Sequence, residues 1–259
     1  MIKLHSNIIG DKGQPLLILH GFLGMGDNWK TLAKKYNKEG FQVHLIDQRN
    51  HGRSPHTSEF NYDILATDVV DYCKQHQLKN IYLLGHSMGG KTAMQVAVKY
   101  PELLKALLVI DIAPKYYPPH HQTILEGLTA LYKAHLTDRG DADTLLATYI
   151  SDWGVRQFLL KNLYWKDKET LALRINLPVL KEKIEQIGTS ISDDAMYMGK
   201  TLFINGKKSN YITENDKDLI LKHFPNAEIE PIEGAGHWVH AEKAKEFFEK
   251  TILFMKKTD

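Results

Sequence analysis

Eight consecutive residues, Gly85-His86-Ser87-Met88-Gly89-Gly90-Lys91-Thr92, satisfy two catalytic patterns at once. Read as G-x-S-x-G they form a nucleophile elbow, in which Ser87 attacks an acyl carbonyl. Read as G-x-x-x-x-G-K-T they form a phosphate-binding loop, in which Lys91 and Thr92 serve a nucleotide and its magnesium. Both patterns need a buried strand before them and a helix after. Ile81-Tyr82-Leu83-Leu84 supplies the strand, and Lys91 to Lys99, ended by Pro101, supplies the helix. The phosphate reading gains from Leu107-Leu108-Val109-Ile110-Asp111, an apolar strand ending in an aspartate suited to magnesium. It leaves the other marked segments without a task.

The acyl-transfer reading uses them all. A serine hydroxyl is a weak nucleophile and needs an adjacent base, which in turn needs an acid to fix its tautomer. His237, in Gly234-Ala235-Gly236-His237-Trp238, is the base in the required chain order. For the acid, Asp111 ends the strand after the elbow helix. Glu214 and Asp216 are the alternatives, and Asp216 better suits a helix cap. Ser209 either supports the histidine–acid pair or is a turn serine. Two backbone amides would hold the oxyanion: Met88, next to the nucleophile, and Phe22, in His20-Gly21-Phe22-Leu23-Gly24. His20 reads as a loop brace, as does most of Asp47 to Pro55, although Arg49 and Arg53 could reach substrate. Leu23, Trp153, Phe158, Trp165 and Trp238 are candidates for an apolar pocket, with packing as the alternative role. The 13 histidines show no metal-ligand spacing.

Positioning these residues takes a sheet whose strands end at one edge. Apolar runs at Leu16 to Leu19, Phe41 to Ile46, Ile81 to Leu84, Ala106 to Ile110, Thr201 to Ile204 and Glu228 to Ile232 read as strands, with a weaker one near Leu4 to Ile9. Helical patterns alternate with them at Trp29 to Tyr36, Tyr62 to Gln75, Lys91 to Lys99, Asp216 to His223 and Ala241 to Phe254. Asp27-Asn28 is the expected N-cap of the first. Such alternation predicts a mostly parallel sheet covered on both faces. From Pro114 to Gly199 the rhythm breaks and no strand is expected. Helical patterns there lie near Thr123 to Ala134, Thr144 to Ile150, Val155 to Leu160 and Leu177 to Gln186. The expected organisation is a core of 1–113 and 199–259 with a helical cap, 114–198, inserted over the carboxyl ends of the strands.

Bulk properties are those of an ordinary soluble globular protein. The 259 residues suffice for one α/β domain with an insertion, and 43% apolar content is ordinary. A net charge of +2 gives no electrostatic case for nucleic acid. No apolar run approaches the roughly 20 residues of a membrane span, and the amino terminus lacks a signal-peptide core. The single cysteine, Cys73, reads as a small buried apolar residue. The expected setting is reducing and cytoplasmic.

The chain resembles the α/β-hydrolase superfamily and, within it, the bacterial YbfF-type esterases and their mitochondrial abhydrolase relatives. The resemblance rests on His20 to Gly24, Asp47 to Pro55, Gly85 to Met94, Asp111-Ile112-Ala113-Pro114, Phe158-Leu159-Leu160-Lys161 and Gly234 to Lys243. It implies Ser87, Asp111 and His237 as the triad, a serine in the slot of Ser209, and activity on short acyl esters or thioesters. It implies no cofactor, a small-molecule substrate, and a packing or pairing role for Lys91 on the helix surface. A lyase or carbon–carbon hydrolase on the same fold, a ligand sensor without turnover, and a nucleotide-binding protein through Lys91 are the rival readings.

Overall fold

Continuous apolar runs make strands that must be buried on both faces, and the sheet is built from them. The computed structural model describes residues 2–134 and 136–258. Met1 and Asp259, the outermost positions of the expected core, lie outside the described residues. In chain order the core comprises β1 (Ser6–Ile9), β2 (Gln14–Leu19), α1 (Lys30–Lys38), β3 (Phe41–Ile46), α2 (Tyr62–Gln75), β4 (Ile81–His86), α3 (Met88–Lys99) and β5 (Leu104–Ile110). The chain then leaves the sheet through α4 (Gln122–Lys133), α5 (Arg139–Ala147), α6 (Trp153–Leu160), β6 (Leu163–Trp165), β7 (Leu171–Leu173), α7 (Leu177–Glu182) and α8 (Ile184–Gly188). It returns through β8 (Thr201–Gly206), α9 (Lys217–His223), β9 (Ala227–Ile232), α10 (Val239–Glu242) and α11 (Ala244–Lys257).

The seven-stranded sheet has the order β1-β3-β2-β4-β5-β8-β9, with β1 antiparallel and the other pairs parallel. Side chains alternate between its faces. Leu17 and Leu19 join α2, α3 and α9 on one side; Leu16 and Ile18 join α1 and α11 on the other. A third apolar cluster joins α4 to α8 with Phe22, Leu23 and Met88 of the core. The register brings the marked residues together: His86 pairs with Ile110, so Ser87 and Asp111 leave neighbouring strands at one level. Cys73 is buried as expected, and burial pushes its thiol up to about 12.

Four local expectations are corrected. The inserted interval does contain strands, the antiparallel hairpin β6–β7. Each strand is three residues, too short for alternation to register in the sequence. The pattern over Leu177 to Gln186 is two helices broken at Lys183, not one. Asp27-Asn28 lies inside a 3-10 turn, Gly26–Trp29, and α1 begins after Trp29 without a side-chain cap. Asp216 does not cap α9; its carboxylate accepts from the Thr213 amide and pairs with Lys115.

Candidate active site

The elbow is tight because two glycines make it so. A Cβ on Gly85 would lie 2.1 Å from the Gly89 carbonyl oxygen, and one on Gly89 would lie 2.3 Å from that of Leu19. Ser87 sits between them in a left-handed conformation, φ +54°. A non-glycine residue adopts that region only when its surroundings over-determine it. Here the Ser87 amide donates to Ile110 and the Ser87 carbonyl accepts from Lys91, the first bond of α3. Its hydroxyl has no hydrogen-bond partner among the described residues. Met88 opens α3, so its N–H has no acceptor within the helix and points, with the positive end of the helix dipole, toward the serine.

The loop after β2 lies against the elbow. A Cβ on Gly21 would approach the Ser87 Cβ to 3.4 Å and the His86 ring to 2.8 Å, so only glycine fits. Phe22 lines the same cleft as Ser87 and Met88. His20 braces this loop. The Gln48 amide donates to its Nε2, which leaves Nδ1 as the protonated nitrogen, donating to the Gly21 carbonyl. Burial lowers the His20 pKa to about 4, so the ring stays neutral. Asp47 accepts from the Gly26 and Arg53 amides, tying the following loop to the first. Arg49 is committed to a buried pair with Asp68 at 2.5 and 2.7 Å, which removes it as a substrate ligand. Arg53 faces Asp27.

Asp111 is wholly buried, and its φ of +50° turns the side chain across the ends of β5 and β8. Its Oδ2 accepts from His237 Nδ1 at 2.7 Å and from the Ser209 hydroxyl at 2.5 Å; its Oδ1 accepts from the Gly206 amide at 3.1 Å. Nδ1 of His237 is thereby the donor, and Nε2 is left as the basic nitrogen. Ser209 thus touches the acid; the turn-serine alternative falls short of what it does. Glu214 pairs with Lys207 at the surface and Asp216 with Lys115, so neither approaches the histidine. The Gly236 and Trp238 amides on either side of His237 both donate to Glu242. His86 donates from Nε2 to the His237 carbonyl at 2.9 Å.

Several participants carry no sequence signal. The Tyr211 ring stacks on His237, centroids 4.1 Å apart and 20° from parallel, while its hydroxyl meets His120 Nε2 at 2.8 Å. Tyr117 accepts from the Ala113 amide and donates to the Tyr211 carbonyl. Tyr62, Ile112, Pro118 and Ile187 complete an apolar cleft over Ser87, whose mouth continues past His120, Tyr211 and His237. Tyr117, Pro118 and Pro119 of the proline- and tyrosine-rich stretch after Pro114 belong to this wall.

The expected pocket residues are mostly elsewhere. Trp153 is 66% exposed at the start of α6, and Trp165 is exposed on β6. Leu159 and Leu160 form the buried side of α6 and leave Trp153 facing out. Phe158 and Trp238 pack on each other, centroids 5.9 Å apart, and do not line the cleft over Ser87. Leu23 is buried in the cluster beneath the inserted helices, behind Phe22. Lys91 is not on the helix surface: it is 1% exposed and donates to the carbonyls of Lys115 and Thr189. Thr92 donates to Gln48. Both are engaged by protein groups, which leaves neither free to serve a nucleotide. Among the described residues there is no cluster of three metal-ligating side chains and no helix long and apolar enough to cross a membrane.

A family model for the alpha/beta hydrolase fold matches residues 14–133. The sequence is 37% identical over 252 residues to the sn-1-specific diacylglycerol lipase ABHD11 of Xenopus laevis, covering 94% of this chain and 80% of that one. It is 35% identical over 230 residues to esterase YbfF of Escherichia coli K12, covering 88% of each. Among solved structures, a marine microorganism esterase superposes with a TM-score of 0.92 at 39% identity, covering 98% of this chain and 100% of its own.

Proposed function

The chain belongs to the α/β-hydrolase family, and from that premise we propose that it is a serine esterase or thioesterase of short acyl groups. Esterases and lipases are its relatives, and its chemistry is ester-bond hydrolysis. The observation that carries the finer reading is the buried Asp111, hydrogen-bonded to His237 Nδ1 beside a strained elbow serine. In the proposed reaction His237 Nε2 takes the Ser87 proton as Oγ bonds to the acyl carbon. The amides of Phe22 and Met88 receive the oxyanion. The carbonyl re-forms, the alcohol or thiol leaves with the proton from His237, and the acyl group remains on Ser87. Water, deprotonated by the same nitrogen, then attacks the acyl carbon, the bond to Ser87 Oγ breaks as that oxygen takes the proton back from His237, and the acid is released.

Asp111 stabilises the imidazolium formed in each half, and Ser209 and Gly206 hold its carboxylate in place by donating to it. The segment 114–198 acts as a cap whose tyrosines and prolines wall the acyl site. The narrow, apolar cleft supports a preference for short chains. No group in this sequence of steps requires a cofactor.

The test is hydrolysis of p-nitrophenyl butyrate by wild type and Ser87→Ala, with mass spectrometry of a fluorophosphonate adduct. Wild type should turn over and gain the adduct at Ser87; the variant should do neither. Full activity in Ser87→Ala would remove this mechanism.

A further inference from the structure

The proposed reaction gives Lys91 no task, yet this lysine is among the most completely buried side chains of the molecule. Burying an ammonium is unfavourable, and a methionine would fill the same space without that cost. Burial, and secondarily the charge of Lys115, lower its pKa to about 7. Its partners are not carboxylates. The ammonium donates to the backbone carbonyls of Lys115 and Thr189, the latter at 2.6 Å, and lies 5.2 Å from the Tyr117 ring centroid. Those two carbonyls belong to the two connections by which segment 114–198 leaves and rejoins the core. The connections run side by side: the Tyr117 amide donates to the Gly188 carbonyl and the Ile191 amide to that of Pro114. A Cβ on Gly188 would lie 2.0 Å from the Tyr117 carbonyl oxygen. Tyr117, Ile187 and Gly188 are also the wall of the cleft facing Ser87.

We propose that Lys91 is a specificity-determining positioning residue: it bolts both connections to the elbow helix and so fixes how far the Tyr117–Gly188 wall stands from Ser87. The inference rests on the esterase reading for its consequence, the exclusion of long acyl chains. A lysine amine suits this task because its several N–H donors let one side chain hold two carbonyls from different segments. The elbow helix is the natural anchor, since its first turn is fixed by Gly85, Gly89 and the sheet.

Two measurements test it on Lys91→Met, with Lys91→Gln as a second variant. The first compares kcat/KM for p-nitrophenyl acetate, butyrate and octanoate. The octanoate-to-acetate ratio should rise by about tenfold or more, through KM, which is the scale of a pocket gaining room for added methylenes. Turnover of acetate should remain near wild type. The second is amide hydrogen exchange, in which 114–119 and 186–191 should lose protection while the central strands keep theirs. An unchanged ratio in a folded variant overturns the proposal, and failure of both variants to fold assigns Lys91 to stability alone and overturns it too. If wild type cleaves none of these esters, the esterase reading fails. Hydrogen exchange then still decides the bolt, and unchanged protection at the two connections would sink it.

Discussion

Asp111 and Asp216 separate two things that look alike in the sequence, a carboxylate that serves a histidine and one that serves a lysine. Asp111 has one oxygen on His237 and Ser209 and the other on the Gly206 amide. Asp216 accepts from Lys115 and Thr213. Asp111→Asn keeps the shape but no longer fixes the histidine tautomer, so kcat should fall by about 10⁴-fold with little change in fold. Asp216→Asn should leave kcat near wild type. The reverse pattern in steady-state kinetics would move the acid to the loop after β8. Ser87, His237 and Asp111 were legible because each sits where a strand ends, which sequence patterns mark. Tyr211 was not. Its stacking on His237 depends on how the loop after β8 folds back, and nothing near position 211 in the chain refers to position 237. Lys91 was misjudged for the same reason: its neighbours Lys115 and Thr189 are distant in sequence, and helix periodicity alone does not say what will cover a given face.

At the scale of elements, the unit β4–Ser87–α3 works because α3 touches β2 without side chains between them. A Cβ on Gly89 would sit 2.3 Å from the Leu19 oxygen and 2.6 Å from the His20 oxygen. Gly89→Ala must therefore push α3 off the sheet, and overpacking against backbone costs about 3 kcal/mol or more. Gly40 offers the contrast. Its φ is +95°, but a Cβ there meets nothing within 4 Å. Gly40→Ala should cost about 1–2 kcal/mol, the local strain alone. Urea denaturation of the two variants measures the difference, and Gly89→Ala should also lose activity. The strands were legible to within about two residues because buried runs bounded by polar residues have few alternatives. The hairpin β6–β7 was hidden because its strands are too short to show a period, and the helix pair α7–α8 because its break at Lys183 lacks glycine or proline.

For the whole molecule, the histidines set an acid limit. Burial is the leading cause in each case: it lowers His20, His44 and His121 to about 4 and His51 and His240 to about 3, and it holds His86 well below its ordinary value. Unfolded, each would bind a proton near pH 6.5. Between about pH 6.5 and 4 the unfolded chain therefore holds more protons than the folded one, so stability rises with pH across that window and is lost as pH falls. Each buried ring contributes up to about 1.4 kcal/mol per pH unit there. The urea midpoint should drop steeply between pH 6 and 5. A midpoint independent of pH over that range would show that these rings protonate in place.

The paired connections at Pro114–Tyr117 and Gly188–Ile191 mean that the segment between them leaves and returns through one doorway. Its two ends are joined by backbone bonds already made at the threshold. Such a segment is an interchangeable part: a homologous one could be grafted between the same two posts without altering the order of a single sheet strand. The graft would need to cover Phe22, Leu23, Phe60, Tyr62, Leu65 and Met88, the core side chains of the shared cluster. Variation in what the enzyme accepts could then accumulate in the graft while the sheet and the residues at its carboxyl edge stay as they are.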